Sequence, residues 1–163
     1  MLPPMTLLGW IHTVLGVVAI ASAVVCLYRY KFLSFERSSG KIYILVTVLV
    51  AGSALGIYNQ GGFNIAHILA ILTLAAAGFG YVMERWKPLG RLSVYAQALG
   101  YSATLLFHMI PAITDFLRRL PVGDPFVDSF THPLLQGFHL AFLVLFVVGY
   151  AWQCWVLRQD RGN

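Results

Sequence analysis

A chain of 163 residues of which 59% are apolar and only 10% charged, with a mean hydropathy of +0.76, falls outside the composition of soluble domains. It reads as an integral membrane protein, a single helical domain over 1–163, because each crossing consumes roughly 20 residues and leaves no length for a second domain. The net charge of +5 would suggest nucleic acid in a soluble protein, but here the Lys and Arg residues sit in short connections that membrane topology explains. No nucleic-acid partner is expected; the bilayer is.

The opening Met1-Leu-Pro-Pro-Met-Thr6 lacks the basic flank and small-residue cleavage site of a signal peptide, so the first apolar run is expected to stay as a helix. Apolar runs predict an all-α, polytopic transmembrane bundle of five spans, at 5–28, 42–58, 63–82, 92–117 and 134–157. The second is the shortest, and its Gly52-Ser-Ala-Leu-Gly56 matches the GxxxG pattern that lets helices approach closely.

Arg29, Lys31, Arg37 and Lys41 follow the first span, Arg85, Lys87 and Arg91 follow the third, and Arg158 and Arg161 follow the fifth. The positive-inside rule therefore places those loops in the cytoplasm, with the N-terminus outside and the C-terminus inside a bacterial inner membrane. The uncharged Asn59-Gln-Gly-Gly62 belongs outside. Arg118 and Arg119 are the exception, offset by Asp124 and Asp128 and suited to a helix C-terminus. Cys26 and Cys154, near the cytoplasmic ends of the first and last spans, read as reduced packing residues.

The concentrated chemistry is histidine. Counting 1.5 Å per residue, His12 lies ~9 Å below the outer end of its helix, His67 ~6 Å, His139 ~7 Å and His108 ~9 to 13 Å. An ionisable group inside a membrane marks a functional site by default, and four at one depth on four helices suggest a shared guest. On the fourth span Gln97, Tyr101, Thr104, His108 and Asp115 fall on one face, which must point inward. The face of the first span that carries His12 also holds Gly9, Gly16, Ala19, Ala23 and Cys26, small residues that permit close packing or a flat ligand.

Three readings of this layer stand. In the leading one, two of His12, His67, His108 and His139 are axial ligands of one b-type haem, Arg118 and Arg119 meet its propionates, and quinol or a periplasmic protein is the redox partner. In the second, the layer holds zinc, copper, a proton or a small solute without redox chemistry, with Asp115 as a further metal ligand. In the third there is no cofactor and the imidazoles only bond between helices. Tyr101, Gln97 and Gln153 offer polar groups towards the cytoplasm, Pro111 should kink the fourth span, and His132 reads as a solvated interfacial residue. No phosphate loop, HExxH or nucleophile elbow is present, so an enzymatic role has no motif behind it.

His12-Thr-Val-Leu-Gly16, the Gly40-Lys-Ile-Tyr43 opening of the second span, Gly61-Gly62 and His67 resemble a bacterial membrane family known only as domain of unknown function 2306. Phe107-His-Met-Ile-Pro111 and Leu120-Pro-Val-Gly123 look like a subset of small bacterial inner-membrane proteins. The resemblance implies a helical bundle and no assigned activity. Where members of that family often carry a histidine before the Gly-Arg/Lys-x-Tyr element, this chain has Glu36-Arg-Ser-Ser39, so no cytoplasmic-side histidine site is implied.

Overall fold

A computed structural model describes residues 5–58 and 61–159; expectations resting on residues 1–4, on Asn59 and Gln60 and on Arg161 lie outside the described residues. The chain forms five helices, α1 (Leu7–Tyr30), α2 (Ser38–Ala54), α3 (Ile65–Trp86), α4 (Ser93–Arg119) and α5 (Pro133–Gln159), with a 3-10 turn at Gly90–Leu92 leading into α4. No strand occurs among the described residues. α1, α3 and α5 are long and apolar enough to cross a membrane. α2 has 17 residues, and the polar stripe of the 27-residue α4 lowers its hydropathy below theirs.

Helix ends follow local chemistry. Thr6 accepts the Gly9 N–H at 3.1 Å and so satisfies one of the orphan donors that begin α1. Asn64 does the same for α3 through the Ala66 N–H at 2.9 Å. α1 and α3 stop where Lys31 and Lys87 turn left-handed, with φ of 68° and 50°, and Pro133 occupies the first position of α5, where its missing N–H costs nothing. α4 passes through Pro111 as one continuous helix.

Successive helices pack side by side, α1 on α2, α2 on α3, α3 on α4 and α4 on α5, and α1 also touches α4. The first four therefore close into an up-and-down bundle. α5 stands outside it, in substantial contact with α4 alone. All the described Lys and Arg of the 31–41 and 84–91 connections gather at one end of the bundle, the basic end; His12, His67, His108 and His139 occupy the other half.

Two close approaches fix the packing. A Cβ on Gly100 would sit 2.9 Å from the Ala76 carbonyl oxygen and 3.0 Å from the Gly80 nitrogen, so α3 and α4 meet backbone to backbone there. A Cβ on Gly40 would collide with the Ser34 carbonyl, because the 31–37 loop tucks back under α2 and buries Leu33 completely. Both contacts require glycine.

Candidate functional site

The inward face of α4 is polar as its spacing predicts: Gln97, Tyr101, Thr104 and His108 are all buried. Buried polar groups must be bonded, and Thr104 and His108 find their partners on α2. Tyr43 Oη and Thr104 Oγ1 lie 2.5 Å apart, Thr104 donates to the Tyr101 carbonyl at 2.7 Å, and Thr47 Oγ1 lies 3.0 Å from His108 Nε2. The ladder leads from mid-bundle to the histidine half.

His12 reaches α2 from the other side. Its Nδ1 lies 3.1 Å from the Val50 carbonyl and 3.0 Å from Ser53 Oγ. Ser53 gives its own hydroxyl proton to Val50 at 2.8 Å, so the proton between His12 and this pair belongs to Nδ1. The neutral ring then keeps a lone pair on Nε2.

Between these two imidazoles lies a cavity of about 50 Å³ lined by His12, Val50, Ala51, Ala66, Leu69, Ala70, Thr73, Phe107, His108 and Pro111. His12 and His108 each contribute a ring on this cavity and each has one ring nitrogen without a hydrogen bond among the described residues. Such a space accommodates water or a small polar group, given a water's need for ~10–15 Å³ and two or more polar partners. It is far below the ~300–1,000 Å³ of pockets that enclose organic ligands, so a porphyrin finds no room in it.

The other two histidines are elsewhere. His67, 1% exposed, serves its own helix: its Nδ1 accepts the Asn64 N–H at 3.2 Å, completing a capping box. Its ring sits against Tyr58 and Phe63, with centroids at 4.6 Å and 5.1 Å, and its Nε2 is buried without a partner among the described residues. His139 on α5 binds α4. Thr114 donates to the Ile110 carbonyl at 2.7 Å, so its oxygen accepts from His139 Nε2 at 3.0 Å. The shared depth of the four residues thus resolves into one pair and two separate local roles.

Asp115 and the arginines also have local partners. Arg119 Nε contacts both Asp115 oxygens, at 2.7 Å and 2.8 Å, one turn apart on α4. The Arg118 guanidinium lies 4.0 Å over the Phe130 ring, a cation–π contact. None of the three lines the cavity. His132 accepts the Leu134 N–H at 3.2 Å in the first turn of α5. Cys26 and Cys154 are free thiols. Among the described residues, no group of three or more His, Cys, Asp or Glu side chains is placed to hold a metal ion.

The basic end holds a cluster that sequence reasoning passed over. Glu84, near the end of α3, accepts from Ser34 Oγ at 2.5 Å, from the Phe35 N–H at 3.0 Å and from Tyr101 Oη at 2.7 Å. Gln97 holds the same loop by donating to the Leu33 carbonyl at 3.2 Å. The available signal is a lone carboxylate, Glu84, beside Arg85 and Lys87. Thr47 and Ser53 were missed too, since short hydroxyls in an apolar span carry no mark of their partners.

Compared with family models, with curated proteins and with solved structures, the chain matches none.

Proposed function

We propose that this chain is a five-span inner-membrane protein of bacterial type, N-terminus outside and C-terminus inside, that holds a small polar guest between His12 and His108 in a non-redox binding or transport role. The observation that carries this reading is a cavity of about 50 Å³ lined by both imidazoles, each with a ring nitrogen that has no hydrogen bond among the described residues. Ionisable groups in a span are costly unless paired or functional, and a polar cavity of this size suits a proton-bearing group or a small ion with its water.

The placement rests on three membrane-length helices and on the gathering of basic residues at one end. A haem reading would use the same pair, His12 and His108, as axial ligands. It is disfavoured by the cavity volume and by the engagement of Arg118 with Phe130 and of Arg119 with Asp115.

Purification followed by a reduced-minus-oxidised spectrum and elemental analysis tests the choice. The expected protein is colourless, with no α-band and no stoichiometric iron. An α-band that disappears in His12→Ala and His108→Ala would overturn the non-redox reading in favour of haem.

A further inference from the structure

Phe107 lines two spaces at once. On its inner side is the His12–His108 cavity; on its outer side is a groove of about 340 Å³ along the α3–α4 seam, lined by Leu72, Ala75, Ala76, Phe79, Leu99, Gly100, Ala103 and Phe107. The groove is apolar throughout, and residues such as Leu72 and Phe79 are exposed at its surface. A single aromatic side chain therefore stands between a bilayer-facing groove and two imidazoles, the half-buried His12 and the buried His108.

The two compartments together specify a guest. Its body must be apolar and slender, and its end must be polar, small and able to bond to imidazole. Ring head groups are too large, since a cavity that accepts one benzene measures ~150 Å³ against about 50 Å³ here. A two-chain phospholipid is excluded by its headgroup on the same ground. Among the described residues no carboxylate lines the cavity, and Thr73 has committed its hydroxyl proton to the Leu69 carbonyl at 2.7 Å, so the imidazoles are the groups left to receive the guest.

We infer that the His12–His108 cavity receives the carboxyl end of a long-chain fatty acid that arrives from the bilayer along the α3–α4 groove and past Phe107. This rests on the reading of the pair as a site for a polar guest. The acid travels neutral through hydrocarbon. At the cavity its O–H bond breaks and an N–H bond forms on the unbonded nitrogen of His12, leaving a carboxylate beside an imidazolium with charge conserved. A paired, hydrogen-bonded ion is tolerable at such depth where a lone one is not.

The test uses the full chain in phosphatidylcholine nanodiscs and palmitic acid bearing a diazirine at its methyl end, with ultraviolet capture and peptide mapping. Adducts are expected on 72–79 and 99–107, competed by unlabelled palmitic acid and not by hexadecanol. Ala75→Trp fills the groove at an exposed position without touching either imidazole and should abolish labelling. His12→Ala, which removes the proton acceptor, should weaken competition about tenfold.

Equal competition by acid and alcohol, or labelling indifferent to His12→Ala and Ala75→Trp, means that the groove holds bulk acyl chains or a second copy of the chain, and overturns the inference. If palmitic acid fails in this way while histidine ¹⁵N resonances of the pair still respond to another small solute, only the fatty-acid assignment falls. If neither imidazole responds to any guest, the underlying site reading falls with it.

Discussion

Tyr101 donates its hydroxyl to Glu84 at 2.7 Å while the base of its ring covers Gly80, where an added Cβ would lie 2.6 Å from the ring carbons. One α4 side chain thus both seats the helix on α3 and reaches the carboxylate that holds the 31–37 loop. Glu84→Ala would strand Ser34 Oγ and the Phe35 N–H, each worth about 1–3 kcal/mol when buried and unpaired. Amide exchange in 31–37 should rise far more than in α5, and Glu84→Gln, which keeps one acceptor oxygen, should show a smaller rise.

Glycine replacements should separate by position and not by motif. Gly40→Ala drives a methyl into the Ser34 carbonyl and should cost about 1–3 kcal/mol or fail to fold. Gly52→Ala, within the GxxxG match, meets nothing within 4 Å and should leave the melting temperature in detergent unchanged or slightly raised, because alanine is the better helix former. A larger loss at Gly52 than at Gly40 would contradict the packing described.

Ser102 and Gln153 bond reciprocally, at 3.0 Å and 3.3 Å, and belong to the one helix pair that holds α5. A double-mutant cycle of Ser102→Ala and Gln153→Ala should give a coupling of about 0.6 kcal/mol and not above ~1.7, the range for interhelical bonds in membranes. Zero coupling would mean that this pair adds nothing to the hold on α5, leaving apolar contact and the bonds of His139 and Tyr150 to α4.

His108 and His139 should differ sharply although sequence places them at one depth. His108→Ala empties a buried position and strands Thr47, which should cost about 2–4 kcal/mol. His139 is half-buried with a single bond to a threonine, and His139→Ala should cost about 1 kcal/mol or less. Reversible unfolding in mixed micelles reads both values.

How much of this was legible is best seen residue by residue. Apolar runs located all five helices within four residues at either end, and the i, i+3, i+4 spacing of Gln97, Tyr101, Thr104 and His108 gave the buried face of α4. The same periodicity placed Ala19, Ala23 and Cys26 of α1 inside. Depth and phase, however, give a side chain's height and direction and not its neighbour. They could not reveal that α5 lies outside the four-helix bundle, which removes His139 from the cavity, nor that His67 turns back to cap its own helix. Asp115 continued the polar face of α4 but sits one turn from Arg119, close enough for an ion pair that spacing alone also permits. Glu84 drew no notice because its three partners come from a loop and a neighbouring helix, contacts that exist only once the chain has folded.

The central claim, that His12 and His108 share one pocket apart from the other imidazoles, is tested most directly by ¹⁵N-histidine spectra of the full chain in nanodiscs, wild type against His12→Ala. Among the remaining histidines, His108 should shift while His67 and His139 hold their positions. An unmoved His108, or an equal displacement of His139, would contradict the account.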